Sequence, residues 1–380
     1  MGLRFKVTLL FALILAGLAP SAYAQYETAA PHALILDYET GIVLYEKDAR
    51  TPMAPASMTK IMTVEMVLDA IKSGRITLDT KLPVSEEAWR RGGVRSGSST
   101  MFLDLNSEVR VEDLLRGAII QSGNDACIAL AEGLAGNETA FAQQMTRRAK
   151  TLGLESANFK NSTGWPHPEH VISAFDLAKL SRHLIKTHPD FYPIYAEREF
   201  EWNKVKQGNR NPLLGKMAGA DGIKTGSTEA SGYGLVGSAK RGEDRRIIVI
   251  NGLPSKKARQ SESLKIMQAA FAQFSVYDIY AADKIIGQAD VYMGQEGDVG
   301  LKLGETVKLG LHMSERDSVR AKIEYKTPTA PITAGQEIGE LIVTAAGKDE
   351  QRYPLFAASD VKAKSIFGKA WAVLLKKIRG

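Results

Sequence analysis

Hydrophobic residues in the first two thirds of the chain follow strand-like spacing at first and helix-like spacing afterwards. Two β-rich runs, at 33–38 and 42–45, flank the glycine-bearing segment 39–41 and predict a hairpin. After Ser57 the apolar residues recur at steps of three and four, which predicts a helix that begins at or near this serine. The same spacing predicts three further helices, at 111–120, 125–134 and 139–152.

From Gly222 onward the pattern changes to strands. Runs at 222–226, 232–239 and 246–251 predict three strands, and the last two are joined by a turn at 240–244. Because these runs follow one another directly, we expect them to pair antiparallel. A helix at 261–281 is expected to pack on them, which gives an α+β domain whose sheet uses strands from both ends of the domain.

Beyond Asp283 the chain consists of short apolar runs that are punctuated by glycine. At 319–325 apolar residues alternate with charged ones, which predicts a half-buried strand. Similar runs occur at 289–293, 306–311 and 340–344. We therefore expect a small all-β sandwich domain over residues 283–358.

The first 24 residues have the features of a secretory signal peptide. Arg4 and Lys6 precede an apolar stretch at 7–18, and Ala22-Tyr23-Ala24 forms a small-x-small cleavage signature. The apolar stretch is shorter than the roughly 20 residues that span a bilayer. We predict cleavage after Ala24, which leaves about 355 residues, enough for a first domain over 25–282 and a second over 283–358.

The segment 359–380 is predicted to form an amphipathic helix. Its apolar residues fall within one half of a helical wheel; they are Ile366, Phe367, Ala370, Trp371, Leu374, Leu375 and Ile378. The basic residues Lys362, Lys369, Lys376 and Arg379 fall on the opposite side. Such a helix, with a tryptophan on its apolar side and a basic opposite face, suits attachment to an anionic membrane surface. The alternative is a terminal helix docked on the protein.

The composition is that of an ordinary soluble globular protein. The net charge of +6 at pH 7 is modest, and the predicted export argues against a nucleic-acid partner. The single cysteine, Cys127, excludes an intramolecular disulfide and metal sites that need paired cysteines. It lies one turn past Asn124 in an apolar helix, so we interpret it as a small buried hydrophobic residue.

The first motif with catalytic chemistry is Ser57-Met58-Thr59-Lys60. It places a hydroxyl and an amine three residues apart on a helix, where side chains of adjacent turns meet. Serine alone is a weak nucleophile, and a nearby amine that is held neutral by burial or by another cation can take its proton. Taken alone, the pattern also fits a solvated helix face.

Two further motifs complete a signature. Ser122-Gly123-Asn124 lies between two predicted helices and could point a second hydroxyl and an amide into a cleft, although alone it is a helix cap. Lys224-Thr225-Gly226 lies on a predicted strand, where the lysine supplies charge and the glycine permits a close backbone approach. In this order, and roughly 65 and 100 residues apart, the three motifs match the signature of penicillin-binding proteins and class A β-lactamases.

The surroundings of the motifs, at 54–60, 121–131 and 221–226, resemble the D-alanyl-D-alanine carboxypeptidases of the low-molecular-mass (class C) penicillin-binding proteins. The similarity continues from about residue 30 to the C-terminus. It implies a β-lactamase/transpeptidase-like α+β catalytic domain, with an antiparallel sheet and helices on both faces, followed by the all-β domain. It also implies an exported enzyme on the periplasmic side of the bacterial inner membrane, attached peripherally through its C-terminal helix.

The resemblance further implies the reaction and its partners. The enzyme would remove the terminal D-alanine from peptidoglycan stem pentapeptides through an acyl-enzyme, and β-lactam antibiotics would inhibit it covalently. No metal or organic cofactor is implied. By resemblance Ser57 is the acylated nucleophile and Lys60 its base, while Ser122 and Asn124 shuttle protons and orient the substrate.

Other residues are assigned to substrate binding by the same resemblance. Lys224, Thr225 and Gly226 would bind the carboxylate region of the substrate. The backbone N–H groups of Ser57 and Ser227 would form an oxyanion hole. Arg259 resembles the arginine that pairs with the terminal carboxylate, and Arg210 resembles one that lines the same cleft, although either could be a surface arginine.

The chain departs from the family pattern at Ser227, where some relatives carry histidine, and at 170–174, which replaces a tyrosine-serine-rich stretch. Two other functions stay open. A class A β-lactamase needs a glutamate in an E-x-x-L-N motif, and the nearest candidate, Glu155, has the wrong spacing. A catalytically slow wall-binding or β-lactam-sensing module would not require an intact Ser57 and Lys60.

Overall fold

The computed structural model describes residues 26–365, which form an α+β part followed by an all-β part. The strands of the α+β part are β1 (His32–Asp37), β2 (Val43–Lys47), β3 (Lys81–Pro83), β4 (Glu108–Arg110), β5 (Glu199–Trp202), β6 (Val205–Gly208), β7 (Ala220–Thr228), β8 (Gly232–Arg241) and β9 (Asp244–Leu253). Five of them form one antiparallel sheet in the order β2-β1-β9-β8-β7. The expected hairpin, the expected antiparallel strands and the sheet built from both ends of the domain are confirmed.

The α+β part of residues 26–365 contains six α-helices: α1 (Lys60–Lys72), α2 (Val111–Arg116), α3 (Asn124–Ala135), α4 (Glu138–Thr151), α5 (Ala174–Thr187) and α6 (Lys256–Ala272). Side chains cap several of their starts, as where the Asn137 side chain accepts a hydrogen bond from the Ala140 N–H at 2.8 Å. Helix α2 continues into a π-helical turn, Gly117–Gln121, so the predicted helix at 111–120 changes its hydrogen-bond pattern midway.

The central sheet buries both of its faces. Leu34 and Leu36 of β1 point into a core shared with α1, α3 and α5, whereas Ala33 and Ile35 point into a second core shared with α6. This two-residue alternation is the ordinary side-chain period of a strand. The expected arrangement of helices on both faces is therefore confirmed, and the motif that begins at Ser57 lies where the first core meets the sheet edge formed by β7.

The all-β part contains β10 (Phe274–Tyr280), β11 (Ile285–Asp290), β12 (Asp298–Leu303), β13 (Val307–His312), β14 (Arg320–Tyr325), β15 (Glu337–Thr344) and β16 (Gln351–Ala357). A five-stranded sheet, in the order β11-β12-β16-β15-β14, and the β10-β13 pair bury a shared core. The two parts of the chain are in contact, and the Lys348 Nζ donates a hydrogen bond to the Leu44 carbonyl at 3.0 Å.

Several details of the sequence prediction are wrong. The helix expected at 261–281 begins at Lys256 and ends at Ala272, because the strand β10 follows and pairs with β13. The chain thus enters the all-β part at Phe274, before the expected residue 283. The strand at 319–325 is not half-buried along its length: β14 is an edge strand, most of its side chains are exposed, and Ile323 is the partly buried exception.

The helix expected over 359–380 does not begin at Ser359. Residues 359–365 form no helix: Ser359 lies in a bend, and isolated bridges pair Val361 with Ile332 and Ala363 with Gly294. Val361 is 1% exposed and belongs to the core of the all-β part. The remainder of that prediction, and the signal peptide at 1–24, lie outside the described residues. Within residues 26–365, no helix is both long and apolar enough to cross a membrane.

Candidate active site

The nucleophile motif lies at the start of α1. Ser57 is in the 3-10 turn Ala56–Thr59, which leads directly into the helix at Lys60. The Lys60 Nζ therefore comes within 3.1 Å of the Ser57 Oγ. The same nitrogen donates to the Asn124 Oδ1 at 2.7 Å and to the Thr163 carbonyl oxygen at 2.6 Å. Three oxygen atoms thus surround one amine.

The Lys60 amine is removed from water, with 1% of the residue exposed. Burial lowers the pKa of Lys60 to about 8, since a desolvated ammonium is unfavourable. The positive charge of Arg210 lowers this pKa further, whereas Glu138 and Asp125 oppose the shift. Near neutral pH a useful fraction of the amine is therefore uncharged.

The second and third motifs meet on the other side of the cleft. Ser122 has a left-handed backbone (φ 60°) at the end of the π-helical turn, which turns the chain sharply into α3. The Lys224 Nζ donates to the Ser122 Oγ at 3.0 Å and to the Thr225 carbonyl at 3.2 Å. Burial, reinforced by the positive charges of Lys60 and Arg210, holds the pKa of Lys224 well below its usual range.

Strand β7 passes directly beside the nucleophile turn at Gly226. A Cβ at this position would lie 2.7 Å from the Pro55 carbonyl oxygen and 3.1 Å from the Met58 nitrogen, so only glycine fits. Thr225, directly before this glycine, is buried, and Ser227, directly after it, is exposed. The structure thus brings the third motif against the first, as the sequence predicts.

The two arginines occupy different positions. Arg259 on α6 is 5% exposed, its Nη1 is 3.5 Å from the Gly226 carbonyl, and its guanidinium lies 5.7 Å from the centre of the Tyr233 ring. Its Nε has no hydrogen-bond partner among the described residues, and burial lowers the pKa of Arg259. Arg210 is exposed, and its Nη1 donates to the Ser99 Oγ at 2.5 Å.

The sequence prediction missed groups that orient the motif residues. The Ser98 Oγ accepts a hydrogen bond from the Asn124 Nδ2 at 2.9 Å, which leaves the Asn124 Oδ1 for Lys60. Thr163 acts through its backbone carbonyl, so its residue type carries no signal. Asp125 is fully buried and accepts a hydrogen bond from the Thr100 hydroxyl at 2.5 Å. The sequence did carry a signal for Asp125, because it is a carboxylate next to a motif in an otherwise apolar helix.

Within residues 26–365, the other residues weighed from the sequence form no hydrogen bond with Ser57, Lys60, Ser122 or Lys224. Cys127 is fully buried, and burial raises the pKa of its thiol to about 11, which fits its interpretation as a small hydrophobic residue. Glu155 is exposed on the surface. His170 is buried and its Nε2 lies 2.8 Å from the Thr59 Oγ1. In the described part of the chain, no group of three or more His, Cys, Asp or Glu side chains could hold a metal ion.

Comparisons with known proteins agree with this geometry. Residues 19–254 match the family model described as D-alanyl-D-alanine carboxypeptidase, and residues 274–363 match the model of the penicillin-binding protein 5 C-terminal domain. The chain is 38% identical over 353 residues to the D-alanyl-D-alanine carboxypeptidase DacA of Haemophilus influenzae, with 91% of this chain and 89% of that protein covered.

Solved structures are similar as well. The crystal structure of the D-alanyl-D-alanine carboxypeptidase DacD from Francisella tularensis has a TM-score of 0.78 and 30% identity, and the match covers 90% of this chain and 95% of that one. The ampicillin-bound penicillin-binding protein D2 from Listeria monocytogenes has a TM-score of 0.57 and 29% identity, covering 66% and 100%. The chain therefore belongs to the D-alanyl-D-alanine carboxypeptidase family and is a penicillin-binding serine carboxypeptidase with the C-terminal domain of penicillin-binding protein 5.

Proposed function

We propose that this carboxypeptidase removes the terminal D-alanine from peptidoglycan stem pentapeptides through an acyl-enzyme on Ser57, with water as the final acceptor. The observation that carries the proposal is the set of three oxygen atoms around the Lys60 amine. An ammonium group donates three hydrogen bonds, whereas a neutral amine donates two and keeps one lone pair. The positions of these three oxygen atoms therefore decide from which of them a neutral Lys60 can accept a proton.

The two short contacts of Lys60 involve oxygen atoms that can only accept. The Asn124 Oδ1 and the Thr163 carbonyl, at 2.7 and 2.6 Å, take both N–H bonds of the neutral amine. Its lone pair then faces the remaining neighbour, the Ser57 Oγ at 3.1 Å, which carries a proton. Lys60 is thus oriented as a general base for the nucleophile.

The reaction follows from this arrangement. The Ser57 Oγ attacks the carbonyl carbon of the penultimate residue while Lys60 takes the hydroxyl proton. The backbone N–H groups of Ser57 and Ser227 stabilise the oxyanion. Ser122 accepts a hydrogen bond from Lys224, so its own proton is available for the amine of the departing D-alanine. The Lys60 ammonium then returns its proton to the Ser122 oxygen, which restores both groups. Water attacks the ester while the neutral Lys60 takes a proton from it, and this proton passes to the Ser57 oxygen as the ester bond breaks.

Binding of the substrate carboxylate is assigned to the Lys224 side of the cleft. Within residues 26–365, neither Lys224 nor Arg259 forms an ion pair with a carboxylate, although both are at most 5% exposed. Buried cations without a counter-ion are unfavourable, and an incoming carboxylate supplies one. Thr225 and Gly226 follow Lys224 on strand β7, and Arg210 borders the same cleft.

The same nucleophile is expected to react with β-lactams, whose strained amide imitates the scissile bond. The ampicillin-bound form of the Listeria monocytogenes relative supports covalent inhibition of this enzyme too. Cleavage after Ala24 and attachment by an amphipathic helix would place the enzyme on the periplasmic side of the inner membrane. Both proposals are supported by the sequence pattern.

One experiment tests the proposed reaction. Purified enzyme and its Ser57→Ala variant are incubated with a pentapeptide that ends in D-Ala-D-Ala, and released D-alanine is measured. In parallel, penicillin-treated samples are analysed by intact mass and peptide mapping. We expect D-alanine release and an adduct on Ser57, both absent in the variant. An adduct on another peptide, or an undiminished adduct in Ser57→Ala, would contradict the proposal.

A further inference from the structure

Glu138 connects three segments near the catalytic amine without touching it. It is the first residue of α4, and 10% of its side chain is exposed. Its Oε1 accepts hydrogen bonds from the Ser162 backbone N–H at 3.0 Å and from the Ser162 hydroxyl at 2.7 Å. Its Oε2 lies 3.4 Å from the Arg91 Nη1, and the Arg91 guanidinium lies 4.9 Å from the centre of the Trp165 ring.

The segment that Glu138 holds is the one that holds Lys60. Ser162 and Thr163 are fully buried neighbours, and the Thr163 carbonyl accepts from the Lys60 Nζ at 2.6 Å. The Ser162 carbonyl accepts from the Thr63 hydroxyl at 2.6 Å, which ties the same segment to the next turn of α1. A shift of Ser162 would therefore move one of the two acceptors that orient the Lys60 lone pair.

We propose that Glu138 is a positioning residue for the Lys60 base: its carboxylate fixes the Ser162–Thr163 backbone so that the Thr163 carbonyl takes one N–H of the neutral amine. This inference rests on the proposed role of Lys60. The inference assigns a function to a side chain that lies outside all three motifs. Glu138 acts through backbone geometry and charge.

The charge of Glu138 acts in the same region. Burial is the largest cause of the lowered Lys60 pKa. Among the nearby groups, the Cys127 thiol, Glu138 and Asp125 raise this pKa, and Arg210 lowers it. Lys60 in turn lowers the pKa values of Lys224 and His170. Because a nearby carboxylate stabilises the ammonium, removal of the Glu138 charge lowers the Lys60 pKa. Acylation would then reach half of its maximum at a lower pH than in the wild type.

Three variants separate the two effects. Glu138→Gln keeps an oxygen that can accept from Ser162 but removes the charge. Ser162→Ala keeps the charge but removes the hydroxyl donor, and Glu138→Ala removes both. Glu132→Gln, on the neighbouring end of α3, is the matched control, because Glu132 is not among the groups that shift the Lys60 pKa.

The measurement is the rate constant of acylation by a chromogenic penicillin between pH 6 and 10, for the full-length chain and corrected for the fraction of active enzyme. We expect Glu138→Gln to move the midpoint to lower pH, Ser162→Ala to lower the plateau at an unchanged midpoint, and Glu138→Ala to do both, with a plateau reduced about tenfold or more. The control should match the wild type.

The outcomes distinguish this inference from the proposed function. If wild-type enzyme fails to acylate Ser57, the proposed function itself is wrong. If the wild type acylates but Glu138→Gln has the wild-type midpoint and Glu138→Ala the wild-type plateau, the positioning role is overturned and the proposed function stands. Lower thermal stability of Glu138→Ala with an unchanged pH profile per active enzyme would also overturn it, since a purely structural residue behaves in that way.

Discussion

The cleft contains two buried lysines with different surroundings. Lys60 lies at the start of a helix and contacts the nucleophile, an amide oxygen and a backbone carbonyl. Lys224 lies on a strand and contacts the hydroxyl of Ser122 and the carbonyl of Thr225. Burial lowers the pKa of both amines, so the pKa alone does not distinguish their roles. The atoms that each amine touches do distinguish them.

The comparison teaches that one chemical group serves as a base in one place and as an anion site in the other. Both N–H bonds of a neutral Lys60 are taken by acceptors, which leaves its lone pair for the serine. Lys224 lies beside Arg259 and the close approach at Gly226, where an incoming carboxylate would restore its charge. The first amine must lose a proton to function, and the second must carry one when the substrate is bound.

The largest expected effect separates the two lysines by the same substitution. Lys60→Arg keeps a positive charge but offers no lone pair at neutral pH, so acylation by penicillin should fall by at least about 100-fold. Lys224→Arg keeps the charge that its role needs and should lose much less. Stopped-flow acylation of both variants measures the difference. Equal losses in the two variants would remove the distinction.

A smaller effect is expected at Arg259, behind the Lys224 strand. Loss of a charge-assisted contact in a partly desolvated cleft costs on the order of 1.5 to 3 kcal/mol, so Arg259→Ala should lower kcat/KM by roughly 10- to 150-fold. Arg259→Lys should recover only part of this loss, because it lacks the guanidinium fork. For a substrate with an amidated terminus the loss should be much smaller. An equal loss with both substrates would make Arg259 a structural residue.

The pH dependence should follow Lys60. Because its pKa is lowered to about 8, the amine is mostly charged below this pH and mostly neutral above it. Acylation should therefore rise with pH to a plateau, and at pH 7 it should be about tenfold below the plateau. Rate constants from pH 6 to 9.5 give the profile. A rate independent of pH across this range would show that Lys60 does not lose its proton in the step.

The smallest effect on catalysis is expected from the C-terminal segment. Removal of residues 366–380 should release the protein from anionic liposomes and leave the peptidase rate unchanged. Removal of residues 359–380 should in addition destabilise the all-β part by about 1.5 to 3 kcal/mol, because this longer truncation deletes the buried Val361. Flotation and thermal unfolding test the two truncations. Equal liposome binding by the full-length and shorter chains would refute the membrane role.

The sequence predicted those features that depend on local pattern. The hairpin, the helices after the motifs and the strands from Gly222 onward follow from spacing alone. The three motifs also selected Ser57, Lys60, Ser122 and Lys224, and the structure brings Lys60 to Ser57 and Lys224 to Ser122. Helix α5 was not predicted, although Ser173 caps it. The boundary at Ala272 was missed because residues 274–280 continue the apolar spacing, and their partner strand is distant in sequence.

Within the site, the sequence could not supply the groups that act through the backbone or over long separations. The Thr163 carbonyl reaches Lys60 whatever its side chain is. Glu138 lies in a helix and contacts Ser162 in a loop, and nothing in the local pattern of either residue indicates the pair. Ser98 was within a segment similar to the family, but its contact with Asn124 depends on the folded loop. These residues are found from geometry, and motifs do not reveal them.

The central claim is that Lys60 is the base and loses its proton near pH 8. The most direct test follows the Lys60 Nζ by nitrogen NMR across a pH titration, with the signal assigned by its absence in Lys60→Arg, and compares the midpoint with that of acylation in the same buffer. The account predicts that both midpoints coincide near pH 8. A Lys60 amine that stays protonated to pH 10 while acylation already reaches its plateau would contradict it.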